Sequence, residues 1–445
     1  GGRGRIPERR GVGLPVLPRL DRPQSPHPAD GRPGRSTGPS GSTRHVELFT
    51  FLYGGRLMRA EVLLIYLITF LVFLETHGLA PLMAPYARTL GAPVYLIGWI
   101  VGLYSAANLV GNLGGGLWAD RVGRKLPLIV GLAAVATALL LYTLLWEPRT
   151  MLAVRFLHGI GNALVTPATL AYLGDISLTT SRGRTMAFYG VAYGMSGLIG
   201  PPLAGWLRDW MGYGAVFLGF SVLLLTMALV AGAKIRERGI PSPERPASRI
   251  PWRSLLRIGL SVSFLAAFCW MFMMGTLLVF LPLIGEERGF TAARVGMLFG
   301  GFALVASLVQ ALLGRLSDRW GRFPLIALGL ALIAVALLAL SVSQSWGQMM
   351  GGMALCGLGL GFLFPAKSAL LVDETTPLNR GKASGIFMAM ISLGMIAGSG
   401  MAGLIEQWHR TVGLHPFQFA AMVVSLGLLW TIAGGLMVRR LRSPR

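Results

Sequence analysis

The stretch that decides the fold is Gly116-Leu-Trp-Ala-Asp120-Arg121-Val-Gly123-Arg124-Lys125, which returns as Gly314-Arg-Leu-Ser-Asp318-Arg319-Trp-Gly321-Arg322. The two copies are 198 residues apart. The same offset pairs Gly159 with Gly357, Gly161 with Gly359, Pro167 with Pro365, Asp175 with Asp373, Gly200 with Gly398, and Arg182-Gly183-Arg184 with Arg380-Gly381-Lys382. Because chance does not keep one offset over so many glycine, proline and charged positions, the chain is predicted to be a duplicated unit.

Each copy of this stretch lies between two long apolar runs. Of the 445 residues, 53% are hydrophobic and only 13% are charged, whereas a soluble domain carries about 25% charged residues. This composition excludes an ordinary soluble enzyme and a disordered protein. Apolar runs of about 20 residues, the length that crosses a bilayer, alternate with short polar breaks. They predict an all-α membrane protein with twelve transmembrane helices at residues 62–84, 96–116, 127–146, 151–174, 185–207, 214–233, 259–285, 293–314, 324–344, 347–372, 383–405 and 417–437.

Two polar segments set the domain boundaries. Residues 1–58 are a basic, aperiodic tail that is predicted to be disordered, and the first methionine is Met58, so one hypothesis is that natural translation begins there. Residues 234–258 hold four prolines that prevent a continuous helix. The expected organisation is an N-terminal six-helix bundle over 59–233, a linker over 234–258, a C-terminal six-helix bundle over 259–438, and a tail over 439–445.

The distribution of positive charge predicts the topology. Loops are numbered here in chain order, so that loop one joins spans one and two. After Met58, the even-numbered loops and the two ends of the chain hold 22 Lys and Arg residues, and the odd-numbered loops hold six. The positive-inside rule therefore places the even loops and both termini in the cytoplasm. The net charge of +22 is then a topology signal rather than a nucleic-acid footprint. Cys269 and Cys356 lie in apolar runs, so neither a disulfide framework nor a cysteine metal site is expected.

Three motifs resemble those of the major facilitator superfamily of transporters. The repeated stretch at Gly116 and Gly314 is the first, and Arg155, Gly159 and Gly161 in span four are the second. The third, Gly200-Pro201-Pro-Leu-Ala204-Gly205 in span five, resembles a motif of proton-linked exporters, with Ala204 in place of a glycine. The resemblance covers residues 59–438 and implies that spans one, four, seven and ten line a central cavity.

The repeated stretch is predicted to act as a cytoplasmic latch. Glycine permits a tight turn there, and Asp120 can accept hydrogen bonds at a helix N-terminus. The resemblance implies an ion pair between Arg124 and Asp175. The latch set is Gly116, Asp120, Arg121, Gly123, Arg124 and Asp175, with the repeat positions Gly314, Asp318, Arg319, Gly321, Arg322 and Asp373; the alternative is that these charges only fix topology. Gly200, Pro201 and Gly205 are expected to pack a sealed interface, or to be ordinary small-residue packing.

Ionisable residues within the spans are few, and such residues are functional by default. Glu75 in span one and Arg155 and His158 in span four lie at one level, about 20 Å from the cytoplasmic ends of their spans. They are predicted to couple transport to protons, because movement of Arg155 relative to Glu75 can switch protonation of the carboxylate. The alternatives are a static Glu75–Arg155 ion pair and a packing role for His158. Lys367, near the cytoplasmic end of span ten, is expected to snorkel to the surface.

The candidate cavity residues are Asn162, Thr166, Trp270, Met274 and Met353, in which flexible methionine and aromatic surface suit varied apolar ligands. No nucleotide-binding or nucleophile motif is present, so we expect no cofactor, and a proton gradient supplies the energy. The leading prediction is a monomeric exporter of amphipathic or hydrophobic small molecules in a bacterial inner membrane, working by alternating access. The alternatives are a proton-coupled importer of a polar nutrient and, remotely, a non-transporting receptor.

Overall fold

The computed structural model describes residues 1–2, 41–176, 182–237, 255, 257–313, 319–376 and 378–442. Regular structure in these ranges is α-helical apart from a 3-10 turn at Ala80–Leu82. The helices are α1 (Gly41–Leu79), α2 (Met83–Thr89), α3 (Val94–Val122), α4 (Lys125–Tyr142), α5 (Thr150–Ile176), α6 (Arg182–Lys234), α7 (Ile258–Glu287), α8 (Ala292–Leu313), α9 (Arg322–Val342), α10 (Trp346–Asp373), α11 (Arg380–Val412) and α12 (Pro416–Arg442).

Ten helical segments of the described chain are long and apolar enough to cross a membrane. The protein is therefore an integral membrane protein, as the composition predicted. Helix α5, which carries Arg155 and His158, is outside this set, and α6 counts as one segment of 52 residues from Gly183 to Lys234. Helix α6 is interrupted at Gly212, whose φ of 81° is open to glycine but strained for other residues. This break lies between the two spans that were predicted separately at 185–207 and 214–233.

The N-terminal boundary differs from the expectation. Helix α1 begins at Gly41, so residues 41–58 are helical rather than part of an irregular tail; residues 3–40 lie outside the described chain. No proline occurs between Pro39 and Pro81, so every residue of α1 keeps the backbone N–H that a continuous helix needs.

The two halves of the chain share the geometry of the repeated turn. Gly123 ends α3 with a φ of 93°, and Gly321 precedes α9 with a φ of 85°. Arg124 Nε lies 3.3 Å from Asp175 Oδ2, and Arg322 Nε lies 2.9 Å from Asp373 Oδ2. We call the end of the molecule that carries these two ion pairs the motif end, and the other end the opposite end.

Close contacts between the halves lie towards the opposite end. A Cβ atom on Gly98 of α3 would collide with the carbonyl oxygen of Ser399 in α11, and one on Gly296 of α8 would collide with that of Pro201 in α6. Nearer the motif end of α6 and α11, a Cβ atom would meet nothing within 4 Å at Gly183, Gly190, Gly381 and Gly385. The halves therefore interlock at the opposite end, and the space beside these four glycines of α6 and α11 holds no other side chain or helix within 4 Å.

Candidate functional site

A buried carboxylate and a buried imidazole form the centre of the candidate site. Glu75 of α1 and His158 of α5 are almost fully enclosed, and Glu75 Oε1 lies 3.1 Å from His158 Nε2. Neither atom makes a well-aligned hydrogen bond among the described residues, so the contact is a charge pair defined by its distance. Because a buried charge is costly unless it is paired, this contact is what makes both side chains tolerable in the interior.

A chain of polar side chains extends the pair along α5. Thr76 donates to the second oxygen of Glu75 at 3.2 Å, and the amide nitrogen of Asn162 donates to the Thr76 hydroxyl at 2.8 Å. Thr166 donates to the Asn162 carbonyl oxygen at 3.4 Å. The predicted cavity residues Asn162 and Thr166 are therefore joined to the Glu75 carboxylate through hydrogen bonds.

The other face of His158 is enclosed by tyrosine. Its Nδ1 atom lies 3.4 Å from the hydroxyl oxygen of Tyr142 in α4. The ring of Tyr104, from α3, meets the imidazole edge to face with centroids 5.1 Å apart. Both ring nitrogens of His158 thus lie near oxygen atoms, which fixes the orientation of the imidazole.

Arg155 does not pair with Glu75. Its Nε donates to the carbonyl oxygen of Ile100 at 3.2 Å, and its guanidinium carbon lies 4.9 Å from the centroid of the Tyr104 ring. The partner of Glu75 on α5 is therefore His158 and not Arg155, the partner considered from the sequence. Arg155 is held by a cation–π contact and a backbone oxygen. The sequence placed all three residues at one level, and the side-chain packing decides which two touch.

This arrangement places an acid beside a base. A carboxylate and an imidazolium at 3.1 Å form an ion pair across the contact of Glu75 with His158. A neutral carboxyl attracts an imidazolium less strongly than a carboxylate does, because the carboxyl carries no net charge. A change in proton number therefore changes the force that joins α1 to α5.

The latch residues lie at the motif end around the first turn of α4. The backbone nitrogens of Arg124 and Lys125 donate to Glu237 Oε1 at 2.7 and 3.3 Å, so a carboxylate occupies the helix N-terminus. A side chain at Gly123 would overlap that carboxylate. Arg121 and Arg319 are exposed. Gly314, Asp318 and the side chain of Asp120 lie outside the described residues, and Gly116 is described only as part of α3.

The span-five motif packs against helices of both halves. A Cβ atom on Gly200 would lie 2.8 Å from the Leu74 carbonyl oxygen in α1, and one on Gly205 would collide with the Ala292 carbonyl at the start of α8. Pro201 supplies the carbonyl that meets α8. One turn before Gly200, Ser196 lies 2.9 Å from His77 Nδ1, so His77 is bound to α6.

Two residues depart from their sequence-based predictions, and a third residue was not singled out from the sequence. Met353 is fully buried, and it therefore lines no open surface in this conformation. Lys367 is also fully buried, so it does not snorkel. Sequence reasoning missed Glu61, a second buried carboxylate on α1, which accepts a hydrogen bond from Tyr172 at 3.2 Å. Glu61 directly precedes the apolar run that begins at residue 62, where a charged residue is expected at the end of a membrane span. Trp270 and Met274 on α7 are half-buried.

Comparison with known proteins gives consistent matches over most of the chain. The family model of the Major Facilitator Superfamily matches residues 65–293 and 263–445. Multidrug resistance protein 2 of Bacillus subtilis is 25% identical over 372 residues, which is 81% of this chain and 91% of that protein. An uncharacterized MFS-type transporter of Methanocaldococcus jannaschii is 25% identical over 373 residues, or 82% and 96%.

Among solved structures, the chain resembles a bacterial homolog to the human lysosomal transporter Spinster in an inward-facing and occupied conformation. The TM-score is 0.72 at 16% sequence identity, covering 84% of this chain and 96% of that chain. At this identity the likeness concerns the fold.

Proposed function

Because this chain belongs to the Major Facilitator Superfamily, and is therefore a membrane transporter rather than an enzyme, we propose that it exports amphipathic or hydrophobic small molecules in exchange for protons. The observation that carries proton coupling is the buried Glu75–His158 pair, with its 3.1 Å contact. The name of the Bacillus subtilis relative, a multidrug resistance protein, supports the export of small molecules.

The proposed topology has twelve membrane crossings. The break at Gly212 divides α6 into two crossings, and α5 adds one to the apolar helices already counted. The excess of Lys and Arg in the loops of the motif end assigns that end and both termini to the cytoplasm. We assign the protein, as a monomer, to a bacterial cytoplasmic membrane.

Alternating access follows from how the two halves touch. The interlocked opposite end corresponds to a closed outer side, and the open space beside the glycines of α6 and α11 corresponds to a pathway from the cytoplasm. The inward-facing state of the matched solved structure is in keeping with this assignment. The ion pairs Arg124–Asp175 and Arg322–Asp373 act as the latch, holding α4 to α5 and α9 to α10 while the halves rock.

Proton coupling in this scheme uses Glu75 and His158 as one carrier. When the site faces the outside, the pair takes up a proton, and the attraction between α1 and α5 weakens. When the site faces the cytoplasm, the proton leaves, and the charged pair forms again. Thr76, Asn162 and Thr166 link this event to the cavity side of α5, where a substrate would contact Asn162 or Thr166.

The test uses purified protein in proteoliposomes with a pH-sensing dye inside. Three fluorescent probes are offered: the cation ethidium, the anion 8-anilinonaphthalene-1-sulfonate (ANS) and the neutral N-phenyl-1-naphthylamine (NPN). In the wild type, we expect an imposed proton gradient to drive the accumulation of at least one probe, with protons moving in the opposite direction. Glu75→Gln should abolish gradient-driven accumulation, because an amide keeps the size of the side chain and its ability to hydrogen-bond but cannot bind and release a proton.

The matched control is Glu61→Gln, which alters a second buried carboxylate on the same helix. It should retain gradient-driven transport, because the Glu61 carboxylate is bound by Tyr172 and does not contact His158. Full gradient-driven transport by Glu75→Gln would refute the carrier assignment. Probe movement in the same direction as protons would indicate an importer, and the absence of any probe flux in the wild type would refute the proposed export.

A further inference from the structure

Lys367 is a buried ammonium group that the proton-coupling scheme does not use. It lies on α10 with no exposed surface. Its Nζ atom sits over three aromatic rings, 4.5 Å from the centroid of Trp270, 4.6 Å from Phe364 and 4.5 Å from Phe387. These rings come from α7, α10 and α11, so three helices of the C-terminal half build the cage around one amine.

The cage supplies donors but no acceptor. Lys367 Nζ and Trp270 Nε1 are both buried, and neither has a hydrogen-bond partner within the described chain. The hydroxyl of Ser263 donates to the backbone carbonyl oxygen of Lys367 at 2.8 Å, so it fixes α7 to α10 without serving the amine. A buried donor without an acceptor is unfavourable, and the penalty is larger when the donor is charged. Lys367 Nζ, which lies over the Trp270 ring, and Nε1 of that ring are therefore two donors at one site that lacks an acceptor.

Comparison with the other half argues that the fold does not require this lysine. The repeat offset places Thr169 of α5 at the position of Lys367. Thr169 is buried and bonds the carbonyl oxygen of Thr166 within its own helix at 2.9 Å. A small residue whose hydroxyl bonds within its own helix therefore suffices at this position in the N-terminal half. The buried amine of Lys367 occurs only at the corresponding position of the C-terminal half.

We propose that Lys367 and Trp270 recognise the anionic group of the exported molecule, so that the substrates are aromatic organic anions bearing a carboxylate or sulfonate. This inference rests on the proposed export function and names its substrate class. The anion accepts hydrogen bonds from Nζ and Nε1, and the aromatic body packs against Phe364 and Phe387. When the substrate is bound, Lys367 pairs with its anionic group; without substrate, the amine contacts only the faces of three aromatic rings.

The position of the cage suits entry from the cytoplasmic side. Ser263, which binds the lysine backbone, is near the start of α7 at Ile258, and Lys367 is near the end of α10 at Asp373. Both points belong to the motif end. Phe364 is 38% exposed, so one wall of the cage borders accessible space and its rotation would uncover the amine.

The experiment measures binding of two matched probes to protein in lipid nanodiscs, without a proton gradient. ANS carries a sulfonate, and NPN has the same aromatic frame without it. We expect the wild type to bind ANS more tightly than NPN. Lys367→Met should raise the Kd for ANS on the order of 10- to 100-fold, the loss expected for hydrogen bonds to a charged group, and leave NPN binding unchanged.

Two further variants separate recognition from folding. Lys367→Arg keeps the charge and should retain most ANS binding. Lys234→Met removes an exposed cation at the end of α6 and should leave ANS binding unchanged. Unaltered NPN binding in Lys367→Met shows that the protein is folded.

The inference is overturned if the wild type binds both probes equally, if Lys367→Met weakens both probes alike, or if Lys234→Met weakens ANS as much as Lys367→Met does. Because binding needs no gradient, failure of the proposed proton-driven export would leave a Lys367-dependent preference for ANS visible. The two ideas can therefore fail separately.

Discussion

Removal of the Asp209 carboxylate is expected to open the opposite end of the molecule. Asp209 belongs to α6, and its two oxygens accept the backbone N–H groups of Ala292 at 3.0 Å and Ala293 at 2.8 Å. These are the first two residues of α8, whose N–H groups have no partner within their own helix. One side chain of the first half thus caps a helix of the second half, and this contact must break when the halves separate there.

The size of the effect follows from these contacts. Loss of an acidic cap at a helix N-terminus costs about 0.5–2 kcal/mol. The neighbouring pair of Arg88 with Glu287, at 2.8 Å, is partly exposed on both sides and contributes about 0–1 kcal/mol. Asp209 is therefore the larger contributor. For a loss of about 1–2 kcal/mol in Asp209→Ala, the ratio of open to closed molecules should rise about 5- to 30-fold.

The assay is a distance measurement between two spin labels at the opposite end. Leu144→Cys and Val342→Cys are repeat-related and exposed, and they are introduced after the buried Cys269 and Cys356 have been replaced by alanine. Asp209→Ala should increase the population with the longer distance.

Glu147→Ala is the matched control for this experiment, because Glu147 is exposed at the same end and no contact of its carboxylate joins the halves in the described chain. An unchanged distance distribution in Asp209→Ala would refute the reasoning. An equal shift in Glu147→Ala would attribute the effect to local charge instead of the cap.

Three further variants test other contacts. Gly296→Val should lower transport at least tenfold, because its side chain cannot fit against α6 when the opposite end is closed; probe flux in proteoliposomes measures this. Arg322→Glu should slow transport, and adding Asp373→Arg should restore much of the rate, because the swap rebuilds the pair with reversed charges. Tyr142→Phe removes the hydroxyl beside His158 and about 0.5–1.5 kcal/mol of hydrogen bonding. Its flux should fall by no more than about tenfold at an unchanged ratio of protons to probe.

Local patterns predicted the parts of the site that depend on nearby residues. Gly123 and Gly321 sit in the repeated stretch, and both adopt the positive φ that a turn between two helices needs. The pairing of Arg124 with Asp175 was implied by the family resemblance, and its geometry is present. Helix α1 begins at Gly41, within the segment predicted to be an irregular tail; a basic composition by itself does not exclude a helix.

The contacts of Glu75 and Lys367 could not be read from spacing. Arg155 and His158 are three residues apart on α5, so their side chains leave the helix in neighbouring directions. The packing of Tyr104 against the guanidinium leaves His158 to meet the carboxylate. Distance along α10 gave the depth of Lys367 but not its surroundings, because the rings of Trp270 and Phe387 come from other helices.

Sequence alone predicted a duplicated chain with long membrane-spanning segments, because hydropathy and a repeat offset are properties of the chain in one dimension. Its motifs carried the resemblance to the Major Facilitator Superfamily, which the family model bears out. The tertiary structure alone decided which polar groups meet inside it. In a nonpolar interior each charged side chain must find its partner among neighbouring helices, and the crossing and rotation of those helices set that choice. The Glu75–His158 pair and the amine enclosed by three rings are both products of that packing.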